Sequence, residues 1–334
     1  MEDRNHDQER ATTVSRRRAI AGAGAVAGAA WVAPQIISAP AASAATAGPG
    51  NVVAVGNSGT IVVTADAKTW TLATSGVPQD LEDVAYSPTL GLYAAVGAEG
   101  RVVTSPDGNT WTPRFTPTES RLFAVAWVPF CSRFVAVGSN GAIITSTDGI
   151  TWSFVFTGVQ WSLLGIAANT GAIVVVGEAG TILASFDGST FLSGGTLTTD
   201  ALHDIEYSPE LNQWLAVGEN GTALSSAAFG VWDVEVTGST APFQFSVWNA
   251  AEAAYVVVAD DASGSGARFD GTTWTPDATF PPGLFAVTYS FPLSLFVAVG
   301  VAGIIATSVH GIIWTPQVSP TGQRLNGVAA LASS

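Results

Sequence analysis

The chain has 334 residues, with 12 Lys plus Arg against 26 Asp plus Glu and a formal net charge of −14. So acidic a molecule is repelled by phosphate backbones and anionic lipid surfaces, which argues against nucleic-acid and membrane-surface partners and leaves cationic ligands open. Cys131 is the single cysteine, which excludes an intrachain disulfide and a cysteine-rich zinc site, and the three histidines are too few for the common structural zinc sets.

In chain order, residues 1–18 carry Arg4, Arg10 and the run Ser15-Arg16-Arg17-Arg18, and an uncharged Ala/Gly-rich segment follows from Ala19 to Ala45. A basic region, an apolar region and small residues at a cleavage site describe a secretory signal. The paired arginines and weakly apolar core resemble a twin-arginine signal, with cleavage expected at Ala42-Ser43-Ala44 or, alternatively, at Ala45-Thr46-Ala47. An uncleaved membrane anchor competes with this reading; Pro34 and the Ala/Gly content make the segment a poor span. The expected organisation is a signal peptide over residues 1–44, a linker over 45–50 and one domain over 51–334. The expected location is the periplasm, the cell surface or the medium. Loss of residues 1–44 leaves seven basic against 22 acidic residues.

From Asn51 onward the chain repeats one unit, seen in Phe134 to Trp152, FVAVGSNGAIITSTDGITW. Phe134-Val135-Ala136-Val137-Gly138 is too short for a helix and rich in strand formers, so it reads as a buried strand. Asn140-Gly141 tolerates positive φ and reverses the chain into Ala142-Ile143-Ile144-Thr145. A second turn, Ser146-Thr147-Asp148-Gly149, leads to Thr151-Trp152. The Val-Gly position recurs at Gly56, Gly97, Gly138, Gly177, Gly218, Ala259 and Gly300, at intervals of 41 residues with one of 39. The aromatic recurs at Trp70, Trp111, Trp152, Phe191, Trp232, Trp274 and Trp314. A further strand precedes most copies, as at Leu81 to Tyr86, Leu122 to Trp127, Leu202 to Tyr207 and Leu284 to Tyr289.

Four strands in about 40 residues, repeated, predict an all-β fold, a seven-bladed β-propeller of four-stranded antiparallel blades. The first copy lacks its leading strand, while Leu325 to Ala330 follows the last copy without partners of its own. Pairing that C-terminal strand with the N-terminal blade closes the ring.

The Asp turn is present at Asp66, Asp107, Asp148, Asp187 and Asp270 and is replaced by Ala228 and His310. A carboxylate there can accept hydrogen bonds from turn amides, which makes these residues structural. His310 is expected to cap its turn in the same manner. The pattern, best seen in Ser105-Pro106-Asp107-Gly108-Asn109-Thr110-Trp111, resembles the Asp-box repeat of sialidase-like propellers in a form one residue shorter. With the Ala-Val-Gly turn it is also similar to the propeller family of photosystem II assembly and stability factors. That resemblance implies that the Asp turns join third and fourth strands on the face away from the ligand, and it implies a ring that docks a protein.

Turns between second and third strands and the connections between blades share the other face. They carry Glu99, Glu178, Glu219 and the Asp260-Asp261 pair, with His203 beside Asp204 in a connection. This acidic rim is the candidate metal site; calcium would suit its oxygens. No cofactor is otherwise implied. Glu206 occupies a slot held elsewhere by Ala85, Ala126, Ala167 and Ala329, so it either faces a water-filled channel or needs a partner. Glu206 and Trp161, in the connection Val159-Gln160-Trp161-Ser162, are the candidate ligand contacts. The mature chain has no nucleophile motif and no phosphate loop, so no catalytic residue is assigned. The expected function is that of a secreted, monomeric, non-catalytic binding or scaffold ring for a protein or glycan. A sialidase-like glycoside hydrolase working through rim carboxylates is the alternative.

Overall fold

Val52–Gly56 is buried at all five positions, and Arg133–Gly138 at all but its first. A strand covered on both faces reads as an unbroken apolar run, because sheets pack against each side of it. The burial of these second strands therefore implies neighbours on both faces, and a ring of sheets supplies them. The computed structural model describes residues 52–228, 230–250, 252–259, 266–277 and 280–331. The expected signal over 1–44, the linker over 45–50 and the acidic pair Asp260 and Asp261 lie outside the described residues.

Among the described residues, 28 strands form seven sheets of four, each an antiparallel meander. We number these blades 1 to 7. Blade 1 has the order Leu325–Ala330, Val52–Gly56, Thr60–Thr64, Thr71–Thr74. Val52 pairs with Ala330 and Val53 with Ala329, so the tail completes the sheet that the head begins. The innermost strands of blades 2 to 7 are Leu81–Ser87, Leu122–Val128, Leu163–Ala168, Leu202–Ser208, Phe243–Asn249 and Leu284–Ser290. Each innermost strand, that of blade 1 included, lies against those of both neighbouring blades, which closes the ring. The fold is a seven-bladed β-propeller.

Side chains interleave between blades. Val53, Val55 and Ile61 of blade 1 pack with Leu81, Tyr93 and Trp111 of blade 2. The outermost strands are short and largely exposed, as in Thr112–Arg114 and Ser153–Val155. Brevity leaves little edge for another chain to pair with. The single 39-residue interval has a local cause. The first-to-second turn of blade 4 is shortened to Asn169-Thr170-Gly171-Ala172, where Asn169 Oδ1 accepts from the amides of Gly171 and Ala172 at 2.9 and 2.8 Å.

The second-to-third turns of blades 1 to 5 and 7 each place two successive residues in the left-handed region, for example Glu99 at φ 57° and Gly100 at φ 65°. The glycine is required twice over. A Cβ on Gly100 would lie 1.9 Å from the carbonyl oxygen of Thr118 in the following connection. These turns and the inter-blade connections are joined by backbone hydrogen bonds, such as Ala98 N to Asp80 O and Ser139 N to Arg121 O. They form one face of the disc, here called the upper face.

Candidate functional site at the mouth of the central channel

On the upper face every blade carries the same irregularity. The pairing of its first and second strands slips by one residue near the start of the first strand. A bulge of this kind leaves one residue outside the ladder and re-aims its side chain. The seven residues are Asn326, Glu82, Phe123, Leu164, His203, Gln244 and Phe285, in blade order. All seven line a single depression of about 170 Å³ at the centre of the ring. Asp83, Asp204, Phe245 and Arg324 share its lining. No one residue type marks the bulge in the sequence. Its signal is positional, the residue after Leu81, Leu122, Leu163, Leu202, Phe243, Leu284 and Leu325.

The polar groups of this mouth are held by the backbone of the ring. His203 Nδ1 lies 2.9 Å from the carbonyl oxygen of Phe243 in the next blade. Asn326 donates to Asn57 Oδ1 and to the Leu81 carbonyl, while its own Oδ1 has no hydrogen-bond partner. Asp83 accepts from the amides of Val84 at 2.8 Å and of Val125, in the next blade, at 2.9 Å. Asp204 accepts from the amide and the hydroxyl of Ser246, again in the next blade, both at 2.8 Å. Burial pushes both carboxyls up to about 7 against the pull of these donors, and Asp83 raises Asp204 further.

Two guanidinium groups sit at the rim of the mouth. Arg121 lies 5.8 Å from the centroid of the Phe123 ring, bonds Glu82 and approaches Asp80 to 3.8 Å. Arg324 lies 3.6 Å from the centroid of the Phe285 ring. Among the described residues, neither Asp83 nor Asp204 has an ion-pair partner.

The other rim carboxylates are dispersed and locally engaged. Glu99 accepts from Gln79 at 2.9 Å and lies 3.6 Å from Arg101; Glu178 accepts from the Ser162 amide at 3.0 Å. Glu219 stands exposed in its turn. Among the described residues, no group of three or more His, Cys, Asp or Glu is arranged to hold a metal ion. Trp161 is 56% exposed and is not part of the lining of the mouth.

Glu206 differs from the expectation of a channel-solvated acid. It is 0% exposed, two residues along the same strand from Asp204 and facing the Trp248 backbone and Tyr255 of blade 6. Neither carboxyl oxygen has a hydrogen-bond partner of good geometry. Burial and the nearby Asp204 drive its proton affinity well above the usual carboxylate range, against a weaker pull from the Trp248 amide. A ligand on the upper face does not reach it.

The Asp turns lie between third and fourth strands, on the lower face. In each, the carboxylate accepts from the amides two and three residues on. Asp148 accepts from Ile150 at 2.8 Å and Thr151 at 2.7 Å, and Asp66 from Lys68 at 2.9 Å and Thr69 at 2.7 Å. The Thr69 and Lys68 amides hold Asp66 down at about 2. Asp107, Asp187 and Asp270 make the corresponding pairs. His310 reaches out of its turn. Its Nδ1 lies 3.0 Å from Glu252 in the adjacent blade, while the Ser308 hydroxyl accepts from the Gly311 amide as in the aspartate turns.

No protein-family model matches the chain, and no curated protein matches it in sequence. Solved structures match it in fold. YCF48 from Cyanidioschyzon merolae superposes with a TM-score of 0.59 at 16% identity, over 76% of this chain and 90% of that one. YCF48 bound to D1 peptide gives a TM-score of 0.62 at 15% identity, over 85% and 96%. A protein from Bacteroides uniformis described as a candidate 6-phosphogluconolactonase gives 0.65 at 11% identity, over 83% and 98%. At these identities what is shared is the propeller architecture.

Proposed function

We propose that this protein is an exported, non-catalytic binding ring that holds a protein partner against the upper face, with the channel mouth as the point of engagement. The observation that carries this reading is the set of seven bulge side chains, one from each blade, converging on one depression. Concave sites that combine apolar walls with a few convergent polar groups are where ligands bind. Phe123, Leu164, Phe245 and Phe285 supply the walls, and Glu82, His203, Gln244 and Asn326 the polar groups. A binding role is in keeping with the fold, since one neighbour of the same architecture is YCF48 bound to D1 peptide. Export is supported by Ser15-Arg16-Arg17-Arg18 ahead of the uncharged segment. A route for folded cargo suits a ring whose last strand must pair with its first.

The test is capture from a cell-envelope extract by the tagged chain, with partners identified by mass spectrometry. Wild type and Asp66→Asn, altered on the lower face, are expected to retain the same protein, while Leu164→Trp, which fills the depression, loses it. Equal capture by all three overturns the reading. Retention of a glycan that depends on Trp161, or hydrolysis of a chromogenic glycoside, would replace it with a sugar-binding or glycosidase function.

A further inference from the structure

We propose that the channel mouth takes the cationic end of one Lys or Arg side chain projected by the partner protein. The charge lies between the carboxyls of Asp83 and Asp204, and the stem lies against Phe123, Leu164 and Phe245. This rests on the reading of the upper face as the partner face and names what the mouth recognises.

The first ground is an unanswered pair of carboxyls. Asp83 and Asp204 come from blades 2 and 5 and line the same depression, and Asp83 adds to the cost of ionising Asp204. Their hydrogen bonds come from backbone amides and one hydroxyl, and no cation among the described residues pairs with either. A carboxylate accepts about four hydrogen bonds, so lone pairs remain for a donor arriving from the mouth.

The second ground is that the chain itself shows how this rim holds a cation. The Arg121 guanidinium stands over the Phe123 ring while bonding Glu82, and Arg324 stands over Phe285. Ring faces attract cations, most strongly where water is excluded. Phe245 lines the same depression, and among the described residues no guanidinium covers it. Both own-chain cations belong to residues at or just before the start of a first strand and are exposed, so the carboxyls deeper in the mouth are left to an outside group.

Size and charge complete the argument. A space of about 170 Å³ admits one long side chain and no folded element. A net charge of −14 draws cationic surfaces toward the protein and repels anionic ones.

Protons compete with the cation for the same carboxyls. With Asp83 and Asp204 pushed up to about 7 by burial, binding strengthens as pH rises through neutrality. The other charged or titratable groups facing this space are Glu82, His203, Arg121 and Arg324, with Glu206 behind Asp204.

The test measures binding of acetyl-Gly-Gly-Arg-Gly-Gly-amide, its Lys counterpart and its citrulline counterpart to the full folded chain by calorimetry. Arg and Lys peptides are expected to bind at least about tenfold more tightly than citrulline at about pH 8, and to lose about fivefold or more at about pH 5.5. Asp83→Asn with Asp204→Asn should remove that preference, and Asp66→Asn should leave it intact. Equal binding of arginine and citrulline peptides overturns the proposal. If the double variant fails to melt cooperatively, the citrulline and pH comparisons on wild type decide alone. Binding of n-butylammonium as tight as that of the Lys peptide overturns the protein source in favour of a free amine. An envelope partner retained equally by wild type and the folded double variant, yet lost by Leu164→Trp, sinks this inference and leaves the partner face standing.

Discussion

Asp83 and Asp204 occupy the same position in blades 2 and 5, and each ties its strand to the next blade from beside a glycine in the preceding one. A Cβ on Gly327 would lie 2.7 Å from the Cα of Asp83, and one on Gly165 would lie 2.8 Å from the Cα of Asp204. Nothing larger than hydrogen therefore fits on these two glycines beside the Cα atoms of Asp83 and Asp204, while both side chains line the depression. Asp204 is buried and Asp83 half-buried, and desolvation holds both carboxyls at about 7.

Stability should therefore rise on mild acidification. Asp83 and Asp204 have folded values near 7 against an ordinary 3.8, so the native state binds more protons than the unfolded chain across that window. The contribution of these two carboxyls to the unfolding free energy falls as pH rises from about 4 to about 7 and then levels. Asp66, held at about 2, acts in the opposite sense, and the stability that it contributes is lost as pH falls from 3.8 toward that value. Urea midpoints are expected to peak near about pH 4 to 5. A maximum at or above neutrality would contradict the burial of these carboxyls.

Glu206 extends the same linkage to higher pH. Its carboxyl is fully buried and has no hydrogen-bond partner of good geometry, so ionising it within the ring is costly. Glu206→Gln keeps the shape and removes the proton. Above about pH 7 the variant is expected to be more stable than wild type by about 1 to 3 kcal/mol, with little difference at about pH 5. Parallel alkaline slopes in the two proteins would refute this.

Closure by the tail carries a large share of the stability. Leu325, Val328, Ala329 and Ala330 are 0 to 5% exposed, and four consecutive pairs join this strand to Val52–Val55. A chain ending at Arg324 lacks those side chains and exposes the strand edge and the apolar neighbours they cover. The loss is expected to be about 5 kcal/mol or more, enough to abolish a single cooperative melt in calorimetry. An unchanged transition would count against a ring held by this strand.

The lower-face turns are expected to contribute to stability and not to binding. Asp148→Ala removes two amide partners at 2.7 and 2.8 Å and should cost about 1 kcal/mol, read as a lower urea midpoint with partner capture unchanged. Loss of capture at full stability would place the ligand on the wrong face.

Gly100→Ala tests the upper-face turn. The new methyl would meet the Thr118 carbonyl at 1.9 Å in a residue held at φ 65°, so the turn cannot keep its shape. A loss of about 2 kcal/mol or more is expected, and a neutral outcome would mean that the connection yields easily.

Much of this architecture was legible in the chain because it is periodic. The apolar runs ending at Gly56, Gly97, Gly138, Gly177, Gly218 and Gly300, the Asn-Gly and Asp-Gly turns and the unpartnered Leu325 to Ala330 each follow from local rules. Seven repetitions turned local rules into a ring. The candidate site was less legible. Asp204 and His203 stand out in the sequence only as members of a dispersed acidic rim, while Phe123, Leu164, Gln244, Phe285 and Asn326 share no residue type that marks them. Glu206 is out of place in the sequence, but its surroundings are not legible there, since which neighbour a strand residue faces depends on the packing of the next blade.

The sequence by itself determined the number of blades, the strand order and the point of closure, since hairpin turns and alternating burial act between residues close in the chain. Only the tertiary structure decided that seven bulges meet at one mouth, that Asp83 and Asp204 share it with no counter-charge among the described residues, and that Glu206 is sealed between blades 5 and 6. Those relations join residues from separate blades, and the distances between them exist only once the ring has closed.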